Sequence, residues 1–281
     1  MPSLVERSHA LLPEEMQTNG CFETMRAYGG RIFRLDAHLD RLFGSAQFLG
    51  TPLPEPRAAL RRRLVAALAR SGLREAVVRI ALLPQPANNA RRGGPQPGSI
   101  SHPSIVVQPA ALPPAAAYRT GIRLAVIPSR KFPVSVIDPR AKYSARLGSV
   151  LAVQDAQLRG VEEALFLDPE GGVTESTASN FGIVAGGEVL TPPCWLGLLA
   201  GITRDVLFEL AKQLAVPARE VPLTRHDVYN AEEAFLLSTL KEVLPVTVID
   251  GRRIGNGRPG PLTRKLGLAF RALVRRELEL R

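Results

Sequence analysis

Two hydrophobic periods alternate along this chain, and their order limits the folds open to it. Residues 20–34, GCFETMRAYGGRIFR, change character every second residue around Gly29-Gly30, the pattern of a hairpin whose two-residue turn needs positive φ. Over 35–49, Leu39, Leu42, Phe43, Ala46 and Leu49 then recur at helical spacing until Gly50, and a second helical pattern over 55–71 ends at Gly72. Strand patterns follow at 76–83 and 104–108. Further along come a strand at 122–127, a helix at 144–159 and strands at 163–168, 181–184 and 188–190. A helix at 202–214, strands at 234–238 and 246–250 and a last helix from about 261 complete the chain. Strands and helices are interleaved, and the many short, hairpin-like strands argue against a simple parallel sheet. The expectation is an α/β (α+β) chain.

At 281 residues the chain has room for two domains, each with its own core. PAALPPAAAYRTG, 109–121, carries no apolar period, so we place a linker at 113–121 between domains at 1–112 and 122–281. The stretch 84–103, PQPANNARRGGPQPGSISHP, has the Pro, Gly and Asn density of an exposed loop, and at this length it reads as a binding lid or a disordered tip. No apolar run approaches the roughly 18 residues that span a bilayer. The first residues, MPSLVERSHALLPEE, carry charges where a signal peptide would be apolar, so the expected location is cytoplasmic, without membrane association. Cys21 and Cys194 cannot build a disulfide framework and show no metal-ligand spacing with the four histidines, so no metal is expected.

The formal net charge of +10 raises a nucleic-acid-binding role. Arginine supplies almost all of it, since the lysines are only Lys131, Lys142, Lys212, Lys241 and Lys265. Aromatic residues make up 5% of the chain, few platforms for stacked bases, so solvated arginine-rich faces are the simpler reading and no nucleic-acid partner is expected.

Five segments could carry chemistry. Lys142, in DPRAKYSARLGSVLA, stands at the junction of an extended segment and an apolar helix; it reads either as a Schiff-base lysine, with Arg140 or Arg146 as a cationic neighbour, or as an exposed helix-start lysine. Glu175, in GGVTESTASNFGIV, reads either as a carboxylate that holds a proton on a heterocyclic nitrogen or as a turn residue facing water. GITRDVLFEL from Gly201 and STLKEVLP from Ser238 offer unpaired N–H groups and the hydroxyls of Thr203 and Thr239 to an anion. Arg41, one helical turn beyond His38, would grip a phosphate, or pair with Asp36, Asp40 or another carboxylate.

In this order the segments resemble the class IV aminotransferase family, the fold type IV pyridoxal-phosphate enzymes that include branched-chain and D-amino acid aminotransferases and 4-amino-4-deoxychorismate lyase. The resemblance rests on GCFETMR at 20–26, HLDRL at 38–42 and Lys142. It continues through TESTASNF at 174–181, with Glu175 thirty-three residues beyond Lys142, then GITR at 201–204 and STLKEVLPV at 238–246. It implies a small N-terminal α/β domain and a larger C-terminal domain with a mixed sheet or pseudo-barrel, which enclose pyridoxal 5′-phosphate. Lys142 would form the internal aldimine and shuttle the proton between substrate Cα and cofactor C4′. Glu175 would pair with the pyridine nitrogen, and Arg41, Ile202, Thr203 and Thr239 would hold the phosphate. A homodimer partner would complete the pocket, for which the 84–103 segment is a candidate.

The chain departs from the family where substrate is chosen. Leu147 stands where branched-chain enzymes usually carry a Tyr to the cofactor's phenolic oxygen, and Arg91, Arg92 and His102 do not reproduce the Arg-x-His carboxylate clamp of the D-amino acid enzymes. Arg26, on the hairpin strand with Phe22, is the remaining candidate for the substrate carboxylate, against an ion pair with Glu23 or another carboxylate. The expected activity is an aminotransferase moving the amino group of an amino acid, branched-chain-like or D-, to a 2-oxo acid. The alternatives are the lyase, for which Arg146 speaks and Ala145 speaks against, and a non-catalytic basic nucleic-acid-binding protein.

Overall fold

A computed structural model describes residues 20–83 and 102–280. The described residues form two compact units. The smaller takes in the chain through Ala111, the segment Ala141–Leu147 and the tail from Glu277; the larger takes in Leu112–Arg140 and Gly148–Arg276.

In the smaller unit β1 (Cys21–Tyr28) turns at Gly29-Gly30 into β2 (Arg31–Ile32), two helices follow, α1 (Leu35–Phe48) and α2 (Arg57–Ser71), and β3 (Ala76–Leu83) and β4 (His102–Pro109) close an antiparallel sheet in the order β2-β1-β3-β4. Tyr28 lies opposite Arg31, which leaves the two glycines, at φ 58° and 85°, as the whole turn. Strand alternation sends Cys21, Met25 and Ala27 of β1 and Val78, Ile80 and Leu82 of β3 to one face. Leu39, Leu42 and Ala46 of α1 and Leu60, Leu64 and Leu68 of α2 cover that face at helical spacing.

The larger unit opens with α3 (Ala115–Thr120) and β5 (Ile122–Arg130), then α4 (Leu147–Leu158), whose first residue belongs to the smaller unit. The strands β6 (Glu163–Leu167), β7 (Val173–Ser176), β8 (Asn180–Ala185) and β9 (Glu188–Thr191) precede α5 (Ile202–Gln213), β10 (Ala218–Glu220) and α6 (Arg225–Tyr229). The strands β11 (Glu233–Ser238), β12 (Glu242–Ile249) and β13 (Arg252–Arg253) lead to α7 (Pro261–Glu277). The sheet runs β10-β9-β8-β11-β12-β5-β6-β7, and β7 returns to β8 at Glu175 and Asn180, so six strands form a closed ring. Parallel pairs (β12 with β5, β5 with β6) sit beside antiparallel ones, which makes the sheet mixed as the sequence implies. Each strand of the ring contributes to one core: Leu124, Leu165, Val173, Phe181, Leu236 and Leu244 are all buried. Glu233 caps α7, its carboxylate accepting from Leu262 N–H at 2.9 Å and Thr263 N–H at 2.7 Å. A Cβ on Gly260 would fall 2.0 Å from that carboxyl carbon, so only glycine admits this cap.

Two local expectations change. The stretch taken as a linker, 113–121, contains α3, with Ala117 in the core of the larger unit and Tyr118 Oη donating to the Lys241 carbonyl at 3.1 Å. Six residues are too few to display a helical period, so the pattern missed it. The helix expected from 144 begins at Leu147, because residues 142–144 pair along β1 instead. Most of the 84–103 segment, with Arg91 and Arg92, and the amino-terminal stretch lie outside the described residues, as does the His102 side chain. Among the described residues no helix is long and apolar enough to cross a membrane, and no group of His, Cys, Asp and Glu could hold a metal ion.

Candidate active site

In the smaller unit Lys142 is fixed by the edge of β1. Phe22 N–H donates to the Lys142 carbonyl at 3.1 Å, Ser144 N–H to the Gly20 carbonyl at 2.8 Å, and Lys142 N–H to Ser45 Oγ of α1 at 2.9 Å. The main chain on both sides of the lysine is therefore held by sheet-like bonds, and its ammonium lies 4.8 Å from the centre of the Phe22 ring. This is neither a helix start nor a freely solvated lysine. Arg140, expected as a cationic neighbour, is engaged by Asp138.

Alternation on β1 puts Glu23 on the core face, with no exposure at all. A carboxylate there needs cations, and α1 brings two: Arg41 donates to it from Nε at 2.6 Å and Nη2 at 2.9 Å, and His38 Nδ1 lies 2.8 Å away. Burial alone would raise the Glu23 pKa, but the charge and hydrogen bonds of Arg41, with the His38 bond, hold it well below the carboxylate range. Burial pushes His38 below its ordinary value, the bond to Glu23 opposes this, and the charges of Arg41 and Lys142 add to it. His38 is thus neutral, and since Glu23 only accepts, the imidazole carries its proton on Nδ1. The carboxylate that Arg41 pairs with is thus Glu23; Asp36 and Asp40, the other two considered, pair with Arg57, and Asp36 also with Arg61. Arg26 does not pair with Glu23. It occupies the opposite face of β1 with Phe22, lies 4.0 Å over the Tyr28 ring, and has Glu75 at 3.7 Å.

In the larger unit Glu175 is a buried residue of β7, not a turn carboxylate facing water. Oε1 accepts from Lys131 Nζ at 2.6 Å; Oε2 accepts from Asn180 Nδ2 at 3.1 Å and from Leu199 N–H at 3.2 Å. Asn180 Nδ2 also donates to the Leu199 carbonyl at 2.8 Å, which fixes the amide's orientation. Gly201, next in this loop, makes room for Asn180, since a Cβ there would stand 1.9 Å from its Oδ1. Gly201 is the residue before α5, whose first residues Ile202 and Thr203 are buried and whose amino-terminal N–H groups have no partner within the helix. Thr239 is half-buried in the three-residue turn 239–241 between β11 and β12. Lys241 turns inward from that loop, its Nζ 2.5 Å from Glu163 Oε2 and 3.2 Å from Ser179 Oγ, while Thr177 Oγ1 donates to Glu163 Oε1 at 2.6 Å. This buried pair ties the Thr239 turn to the TESTASN segment.

Of the expected site residues, Phe22, Arg26, Arg41 and Lys142 thus lie in the smaller unit, and Glu175, Ile202, Thr203 and Thr239 in the larger. Around them stand four residues to which sequence reasoning gave no role in the site: Glu23, Lys131, Asn180 and Lys241. Two had a legible signal. Glu23 is a carboxylate at an inward position of a strand, and Lys131 is one of five lysines.

A family model described as "Amino-transferase class IV" matches residues 20–249. The branched-chain-amino-acid aminotransferase of Pseudomonas aeruginosa is 36% identical over 262 residues, 91% of this chain and 84% of that protein. The crystal structure of the Escherichia coli branched-chain amino acid aminotransferase superposes with a TM-score of 0.85 at 28% identity, covering 95% of this chain and 90% of that one. The branched-chain amino acid aminotransferase from Thermobaculum terrenum, in its PLP-bound holo-form, gives 0.85 at 26% identity over 95% of this chain and 90% of that one. With the fold, the motif order and the length of the match in agreement, the chain belongs to the class IV aminotransferase family.

Proposed function

We propose that this protein is a pyridoxal 5′-phosphate-dependent aminotransferase that moves the amino group of a branched-chain amino acid to a 2-oxo acid. The observation that carries the reading is the setting of Glu175: a buried carboxylate, oriented by Lys131, Asn180 and Leu199, whose chemistry suits a heterocyclic N–H. A pyridine ring protonated at its nitrogen supplies an electron sink to the carbon under reaction. The start of α5 at Ile202 and Thr203, with Thr239, suits the phosphate, which helix amino termini receive through unpaired N–H groups. Arg41 is assigned to the same phosphate, with Glu23 holding its guanidinium in place. Lys142 Nζ would be the nucleophile toward the cofactor aldehyde and would carry the proton to and from the substrate Cα. Arg26 and Phe22, neighbours on one face of β1, are assigned to the substrate carboxylate and side chain. The relatives named as branched-chain aminotransferases favour transamination over lyase chemistry. Against the nucleic-acid reading, many arginines are spent internally: Arg57 and Arg61 on acidic residues of α1, Arg63 on Glu55 and Arg123 on Glu162.

We assign the enzyme to the cytoplasm as a homodimer. Exposed Phe132, Val134 and Val136, together with Trp195 on the turn whose Gly197 meets the Phe132 carbonyl, support self-association through the larger unit. The test is a visible absorption spectrum of the purified, cofactor-loaded protein, before and after each of a panel of L- and D-amino acids without acceptor. Bleaching by L-leucine, L-isoleucine or L-valine supports the reading. Bleaching by D-amino acids alone moves the substrate class, an unbleached band favours the lyase, and no band after incubation with pyridoxal phosphate refutes the proposal.

A further inference from the structure

The acceptor inventory of Glu175 singles out Lys131. A carboxylate offers about four lone-pair directions, two on each oxygen. Asn180 and Leu199 take both on Oε2, and Lys131 takes one on Oε1, so Oε1 is where the carboxylate can accept one donor more. Lys131 is no casual surface partner. Its N–H donates to the Leu167 carbonyl at 2.9 Å, its ammonium lies 5.2 Å from the centre of the Phe166 ring, and its side chain is 18% exposed. A buried ring, a strand carbonyl and the carboxylate together determine where this charge sits.

We propose that Lys131 is a positioning residue that keeps the shared proton on the pyridine nitrogen rather than on Glu175. The inference rests on the reading that Glu175 serves that nitrogen. A proton between a pyridine nitrogen and a buried carboxylate has two resting places: the charged pair, N–H⁺ with COO⁻, and the neutral pair, N with COOH. Burial favours the neutral pair, because both charges lose their hydration. A fixed cation on Oε1 reverses this preference. It stabilises the adjacent carboxylate more than it repels the ring nitrogen, which stands beyond the oxygen, because the Coulomb energy falls with distance. Asn180 and Leu199 N–H act in the same direction as neutral donors, while Lys131 supplies the net charge. No bond other than N–H or O–H is made or broken, and the total number of protons does not change.

The test uses apoprotein reloaded with pyridoxal phosphate labelled with ¹⁵N in the ring, whose nitrogen chemical shift reports the proton directly and without turnover. The variants are K131M, K131Q, K131R and E175Q, with the cofactor dissociation constant read from the visible band. The expected result is a protonated ring in the wild type and in K131R, an unprotonated ring in K131M, K131Q and E175Q, and cofactor binding about tenfold weaker in K131M, the loss of roughly one charged hydrogen bond. K131Q keeps the measurement available if K131M does not fold. A ring that stays protonated in K131M or K131Q while E175Q loses the proton overturns the role of Lys131 and leaves that of Glu175 standing. A ring that stays protonated in E175Q overturns both.

Discussion

Replacing Glu23 by glutamine tests how the lysine-bearing unit is held together. The substitution preserves shape and removes one charge at a position with no solvent exposure. Arg41 then loses a two-point ionic contact, at 2.6 and 2.9 Å, and one of its N–H groups meets either a neutral oxygen or the amide NH₂. His38 Nδ1, now 2.8 Å from the carboxylate, faces the same choice. Removing one partner of a buried pair costs about 3–5 kcal/mol, because the other charge stays buried and uncompensated. That is a large share of the roughly 5–15 kcal/mol that holds an ordinary domain. For a unit of this size it lowers the melting temperature by roughly 12 °C or more. Urea unfolding followed by circular dichroism measures the loss, and a cycle with R41M and E23Q/R41M tests its cause: the double variant should recover much of the stability, since neither charge is then left alone. A loss below about 1 kcal/mol for E23Q, or simple additivity in the double variant, would refute the reasoning.

The same cluster makes stability pH-dependent in a defined direction. His38 lies below its ordinary value of 6.5 in the folded protein, chiefly through burial, so the unfolded chain binds the proton more readily and stability falls as the pH drops below about 6.5. Glu23, held down by Arg41 against its burial, extends the loss below about 4.5, and H38Q should remove the first part of the decline in urea midpoint while leaving the second. Gly201→Ala places a Cβ where Asn180 Oδ1 now sits, at 1.9 Å; it should displace that amide from Glu175 and weaken cofactor binding about tenfold, read from the visible band, with little change in the melt. Lys241→Met strands Glu163 without its ammonium and should cost about 3–5 kcal/mol, whereas a K241M/E163L double variant, apolar on both sides, should regain most of it in the same urea assay. Lys142→Ala should abolish turnover and leave the urea transition near that of the wild type, and appreciable residual activity would end its assignment as the nucleophile.

The sequence by itself determined what depends on local periods and turn chemistry. The Gly29-Gly30 hairpin, the helices stopped by Gly50 and Gly72, the strand at Ala76–Leu83 and the start of the last helix at Pro261 are all legible in it, because alternation, helical spacing and glycine's access to positive φ act within a few residues. The order of the motifs from GCFETMR to STLKEVLPV likewise carried the family. Tertiary structure alone decided which charges meet. Arg41 pairs across 18 residues with Glu23 rather than with Asp40 beside it, Lys131 reaches Glu175 across 44, and Lys241 reaches Glu163 across 78. Nothing local distinguishes such partners: an ion pair in water is worth little wherever it forms, and only burial, which the whole fold creates, makes one carboxylate obligatory for one cation. For the same reason the six residues of α3 looked like a linker until Ala117 and Tyr118 had a core and a carbonyl to pack against.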